Sequence, residues 1–135
     1  MRVKLDDIIK ALEFTNMEIK YYYHTKTESI VMVGSYIESD VTYDEIDENR
    51  DDYIPLPDRF DIDEYSIMEG FIYGLPEGRK KYILEDAIRG SGAFRRFKDK
   101  VSDLGLERKW YNYRDDEYIR IAKEWCSENN IEYVE

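Results

Sequence analysis

A chain of 135 residues with 42% hydrophobic and 38% charged residues fits one globular domain, and at this size no disulfide or metal staple is required. The formal net charge of -11 argues against indiscriminate attachment to DNA or anionic membrane. A single cysteine, Cys126, excludes an internal disulfide and a multi-cysteine zinc site.

Met1-Arg2-Val3-Lys4 runs straight into Asp6-Asp7 with no long apolar stretch. Neither a signal peptide nor a spanning helix is expected, and the expected location is the cytoplasm. Leu5, Ile8, Ile9 and Leu12 follow i, i+3, i+4, i+7 spacing and predict a helix over 4–14. Asp6 and Asp7 suit its positive N-terminal end, and Thr15-Asn16 stops it. Residues 17–37 predict a β-hairpin with a turn at Thr25–Glu28, placing Ile19, Tyr21 and Tyr23 on one face and Lys20, Tyr22 and His24 on the other. His24 is the only histidine and has no partner cysteine or histidine, so it is assigned to the surface.

Residues 38–60 lack periodicity and read as a solvated acidic loop or arm, with a short third strand near 52–56 ended by Pro55 and Pro57. Asp44–Asp52 has no central glycine, so a calcium loop is not expected, and no metal site or cofactor is assigned. A helix over 61–75 follows, with Tyr65, Met68, Phe71, Ile72 and Leu75 on its apolar face. Asp61 and Glu64 supply its capping box, and Gly74 and Pro76 close it. The next helix spans 78–89, burying Leu84, Ala87 and Ile88, and Gly90 takes the left-handed cap. Another starts near Ala93, with Phe94, Phe97, Val101 and Leu104 in the core and Gly105 at its end. Trp110–Tyr113 reads as an aromatic corner outside any helix. A last helix over 115–129 sets Tyr118, Ile121, Ala122 and Trp125 on one face, with Cys126 as a half-buried structural thiol, and 131–134 forms a tail strand. The expected architecture is α+β: a small antiparallel β-sheet packed with about five helices in a single domain, 1–135.

Charge is unevenly spread. Residues 35–70 hold 13 Asp/Glu against Arg50 and Arg59, whereas 79–100 holds eight Lys/Arg against Glu85, Asp86 and Asp99. The basic stretch centres on Gly90-Ser91-Gly92-Ala93-Phe94-Arg95-Arg96-Phe97-Lys98. Glycines at a helix start let the backbone approach an anion, and arginine forks suit phosphate or carboxylate. Gly90, Ser91, Gly92, Arg95, Arg96 and Lys98 are therefore the candidate anion- or partner-binding residues. The competing reading is a helix–helix junction, with Arg95 paired to Asp99 and Lys100 to Asp103. The string is neither a Walker A loop nor a dinucleotide fingerprint, since no lysine follows the second glycine and a third glycine is missing. Trp110, Tyr111 and Tyr113 are candidates for base stacking or, alternatively, for packing at a helix corner.

The string from Gly90 to Asp99, together with Arg108-Lys109-Trp110-Tyr111 and Ala122-Lys123-Glu124-Trp125, resembles the signature of an uncharacterised bacterial protein family of the UPF series. The likeness extends to the N-terminal helix and hairpin and to Ile54-Pro55-Leu56-Pro57. It implies a bacterial cytoplasmic protein and transfers no catalytic residue.

No catalytic residues are assigned. The leading expectation is a non-enzymatic binding or regulatory protein that recognises a macromolecular partner, a protein in the first instance, through its charged surfaces. The alternative is nucleic-acid or nucleotide binding at the Gly90–Lys98 junction. A carboxylate-metal hydrolase ranks below both.

Overall fold

In the computed structural model, which describes residues 2–34 and 38–135, the chain is α+β and packs as two compact units. The first comprises residues 1–62 and 118–135, the second residues 63–117.

The first unit opens with strand β1 (Val3–Lys4) and helix α1 (Leu5–Phe14), which buries Leu5, Ile8, Ala11 and Leu12. The apolar stripe is the cause of that packing, and α1 ends where Thr15 turns extended. Thr15 is buried, and its hydroxyl donates to Ile19 O at 2.9 Å. The side-chain carbonyl of Asn16 accepts from Glu18 N and Ile19 N, so a polar turn feeds the chain directly into the sheet.

The hairpin forms as β2 (Ile19–His24) and β3 (Ser29–Gly34), pairing Tyr21 with Met32 and Tyr23 with Ile30. Residues 35–37, the end of the expected hairpin, lie outside the described residues. Tyr23 is buried, and its ring meets Trp125 edge-on at 6.3 Å. On the other face, His24 stacks on Tyr53 at 4.6 Å, and its Nδ1 lies 2.8 Å from Thr27 Oγ1.

The acidic stretch is ordered rather than a free loop. Thr42 caps a short helix, α2 (Tyr43–Glu48), by accepting from Glu45 N, and Ile46 is buried. A 3-10 turn at Arg50–Asp52 leads into β4 (Tyr53–Pro55), the third strand, giving a sheet ordered β3-β2-β4. Asp44 and Asp47 are tolerated because one buried isoleucine and one capping threonine suffice to fix so short a helix. Near the chain ends, β5 (Tyr133–Val134) pairs in parallel with β1.

The helix expected over 61–75 is two helices. The first, α3 (Arg59–Ile62), starts in a reciprocal box between Asp58 and Asp61: each aspartate accepts the other's backbone N–H, at 3.0 and 3.1 Å. The Asp61 backbone N–H is the main cause holding the Asp58 carboxyl below its ordinary value, with Lys20 at 3.8 Å assisting. Asp63 then adopts a left-handed conformation, φ 53°, and caps α4 (Glu64–Tyr73) by accepting from Ser66 N. The capping roles thus fall to Asp58 and Asp63, not to Asp61 and Glu64 as a box for one long helix.

Arg59 organises this unit. Its Nε donates to Thr15 O at 2.8 Å, Nη1 to Tyr118 Oη at 2.9 Å and Nη2 to Glu13 O at 2.5 Å. The planar fork closes the C-terminal end of α1, where a cation also favours the helix dipole.

The second unit consists of α4, α5 (Arg79–Ala87), α6 (Ala93–Asp103) and the first half of α7 (Glu107–Glu128), whose second half belongs to the first unit. The aromatic stretch 110–113 is helical, inside α7, and not a corner. Its core is an aromatic cluster: Phe71 meets Phe97 at 6.2 Å, Trp110 at 5.4 Å and Tyr113 at 5.6 Å, and Phe97 meets Trp110 at 4.8 Å. Edge-to-face contacts of this kind add about 0.5–1.5 kcal/mol per pair beyond burial. Gly70 admits the Tyr113 hydroxyl, which a Cβ at that position would meet well inside contact distance.

Two stability outcomes follow from these contacts. Arg59→Ala strands two helix-end carbonyls and the Tyr118 hydroxyl and costs about 3 kcal/mol in urea denaturation, with Arg59→Lys restoring less than half. Gly70→Ala costs about 1–2 kcal/mol despite alanine's better helix propensity, and the same change becomes neutral or stabilising in a Tyr113→Phe background. Equal costs in both backgrounds would remove the hydroxyl as the cause.

Candidate functional site

The junction between α5 and α6 is built by glycine geometry. Gly90 and Gly92 take left-handed φ values of 76° and 79°, which curl the backbone after α5 ends. That curl turns three carbonyls toward one side chain. Arg96 donates from Nε to Ala87 O at 2.9 Å, from Nη1 to Ser91 O at 2.5 Å and from Nη2 to Arg89 O. Gly92 also leaves space: a Cβ there would stand 2.9 Å from Arg96 Nη1. The glycine-serine-glycine string thus gathers carbonyls around a guanidinium, where a phosphate loop would gather N–H groups around an anion. Arg96 is the helix-end clamp of the second unit, as Arg59 is of the first.

Other junction residues have a different situation. Arg95 and Lys98 are exposed, and neither makes a hydrogen bond or ion pair among the described residues. The expected pairs Arg95–Asp99 and Lys100–Asp103 do not form. Ala93, Phe97 and Val101 bury the inner face of α6, and Phe94, expected in the core, is 49% exposed. It sits one turn from Lys98 on the same face. The spacing 93, 97, 101 fills the stripe, so the ring at position 94 is displaced toward solvent.

The expected stacking residues divide. Trp110 is 3% exposed and Tyr113 is half-buried, both inside the aromatic cluster, whereas Tyr111 is 53% exposed. The buried Trp110 ring has no face to offer a base.

A comparison of the cations extends the site. The first unit holds 19 Asp/Glu and nine Lys/Arg, the second 12 and 11. Seven of the first unit's nine cations are engaged: Arg59 on its carbonyls and Arg2, Lys10, Lys20, Lys26, Arg120 and Lys123 on carboxylates at 2.8–3.8 Å. In the second unit Lys81 pairs with Glu77 at 3.0 Å, Arg114 with Glu64 at 3.0 Å, and Arg96 is clamped. Eight remain exposed with no partner among the described residues: Arg79, Lys80, Arg89, Arg95, Lys98, Lys100, Arg108 and Lys109. Residues 79–109 hold ten Lys/Arg and five Asp/Glu, so the local sign is positive in a strongly acidic chain. Reading the sequence by charge runs found the centre of this group but not Arg108 and Lys109, which lie beyond the 79–100 run.

Chemistry of other kinds finds little footing. The Cys126 thiol is buried, and burial pushes its pKa up to about 11, which keeps it protonated and unreactive near neutrality. Among the described residues, no three His, Cys, Asp or Glu side chains gather to hold a metal ion. No helix among them is long and apolar enough to cross a membrane.

The clamp and the free cation separate cleanly by mutation. Arg96→Ala and Gly92→Ala each lower the unfolding free energy measured in urea, by about 2–3 kcal/mol for the arginine, because three carbonyls lose a charged donor. Arg95→Ala stays within about 0.5 kcal/mol of the parent chain, as expected of an unpartnered surface group. Equal losses at positions 95 and 96 would contradict the division.

Comparison with known proteins places the chain by family and not by activity. No curated protein and no solved structure shows detectable similarity to it. The family match runs over residues 1–135, the full chain, and takes in both units and every residue of the basic junction. This protein belongs to the uncharacterised protein family UPF0158.

Proposed function

We propose that this chain is a non-enzymatic binding protein whose second unit engages a negatively charged macromolecular partner. One observation carries the reading: cations in the acidic first unit are largely engaged by its own groups, while eight in the second unit stand exposed without partners. An unpaired surface cation contributes nothing to folding that requires it, and a row of them raises self-repulsion unless an anion arrives. Arg95 and Lys98 on α6 are the central pair, with Phe94 as an apolar contact beside them. Gly90, Ser91, Gly92 and Arg96 support this surface by fixing the start of α6. A bacterial, cytoplasmic setting suits the reading and is part of it.

The test uses the full chain and its Arg95→Glu/Lys98→Glu variant, immobilised and exposed to lysate at low and moderate salt. The parent retains acidic macromolecules that elute as salt rises, and the variant, folded by circular dichroism, loses most of them. Identical retention by both proteins would overturn the assignment to α6.

A further inference from the structure

Three of the four exposed aromatic residues of the second unit follow one pattern, and the fourth, Tyr73, lies under the Lys81 ammonium, 5.6 Å from its ring centroid. Tyr82 on α5 is 58% exposed and lies three residues after Arg79. Phe94 on α6 is 49% exposed and lies four residues before Lys98. Tyr111 on α7 is 53% exposed and lies three residues after Arg108. Spacings of three and four put both members on one helix face, a turn apart. Three helices of one unit therefore repeat the same pair, an outward ring beside an unpartnered cation.

Such a pair is suited to a particular anion. A carboxylate on an acidic protein needs the cation and has no use for a solvent-exposed ring. A phosphodiester strand with unpaired bases uses both, since the cation meets the phosphate and the ring meets the face of the base. Duplex bases are stacked on each other and cannot do this. The occupant must also approach a chain of net charge -11, which disfavours binding through charge alone and favours a ligand that gains from stacking.

Resting on the reading above and naming its partner class, we infer that the second unit binds single-stranded nucleic acid, with Phe94 and Tyr111 as stacking platforms and Lys98 and Arg108 as phosphate contacts. The ring of Tyr82 offers a third platform, with its hydroxyl turned to Glu77 Oε2 at 3.3 Å. Trp110 and Tyr113 take no part, because they build the core beneath.

The experiment measures binding of the full chain, by fluorescence anisotropy, to three labelled polyanions: a single-stranded oligonucleotide of about 20 residues, an abasic phosphodiester of equal length, and polyglutamate. The oligonucleotide is expected to bind more tightly than either of the others. Phe94→Leu/Tyr111→Leu, which keeps apolar bulk and hence the fold, weakens oligonucleotide binding about fivefold or more and leaves abasic binding unchanged. Lys98→Gln/Arg108→Gln lowers the slope of log affinity against log salt by roughly 1.4, or about 0.7 per phosphate contact. Equal affinity for oligonucleotide and abasic strand, or a preference for polyglutamate, overturns the nucleic-acid assignment while leaving an acidic partner in place. Failure to bind any of the three overturns both.

Discussion

Donation from a guanidinium to the carbonyls at the end of a helix is the interaction on which each unit depends. An α-helix leaves its last four carbonyls without intrahelical partners. In the first unit Arg59 takes up Glu13 O and Thr15 O after α1 and adds the Tyr118 hydroxyl, which ties the start of α3 to α1 and to α7. In the second, Arg96 takes up Ala87 O, Arg89 O and Ser91 O after α5. Both arginines use all three faces of the planar fork, and lysine, with a point charge on a flexible stem, cannot reproduce that arrangement. Other junctions are lighter: Thr42 and Asp63 cap α2 and α4 by accepting one backbone N–H each, and a left-handed Gly105 with backbone hydrogen bonds alone turns the chain after α6.

This use of arginine decides what the remaining charges can do. A guanidinium committed to three carbonyls is still positive, but three of its five N–H donors are occupied and its orientation is fixed, which leaves it less able to grip a ligand. Arg95 and Arg96 are adjacent in sequence, and only the second is held by carbonyls. Gly90 and Gly92 belong with Arg96: their left-handed backbone presents the carbonyls, and the missing Cβ of Gly92 lets the guanidinium reach them. The most distinctive string in the chain is thus explained half by folding and half by what it leaves exposed.

How much of this was legible follows from the length of each signal. Helix α1, the hairpin and Gly90 were readable because several residues repeated one period or one turn preference. Helix α2 was not, since six residues make under two turns and show no period, although Thr42 three residues before Glu45 was a usable capping signal. The start of α7 was lost because Trp110–Tyr113 looked like an aromatic block. Leu106, Trp110 and Tyr113 in fact keep i, i+4, i+7 spacing. Hydrophobicity alone points Phe94 to the core, yet the small Ala93 one residue earlier occupies the buried position. Nothing in the sequence marks which of two neighbouring arginines will find carbonyls, because that depends on the curl of the preceding loop. The candidate site was legible as a region and not as a set of free groups.

The second unit is nearly balanced in charge overall, with 12 Asp/Glu against 11 Lys/Arg, and positive only over 79–109. At physiological ionic strength the Debye length is about 8 Å, so an anion beside α6 responds mainly to nearby charges, where lysine and arginine prevail. At about 0.01 M salt the length grows to about 30 Å, and the net charge of the whole chain, -11, then weighs more against the same anion. A uniformly basic protein gathers any polyanion as salt falls. Here the long-range and short-range terms have opposite signs, so lowering the salt does not simply strengthen attraction. What makes one anion preferable to another must then lie in contact-range features, and on this unit those are the outward rings that stand a turn away from Arg79, Lys98 and Arg108.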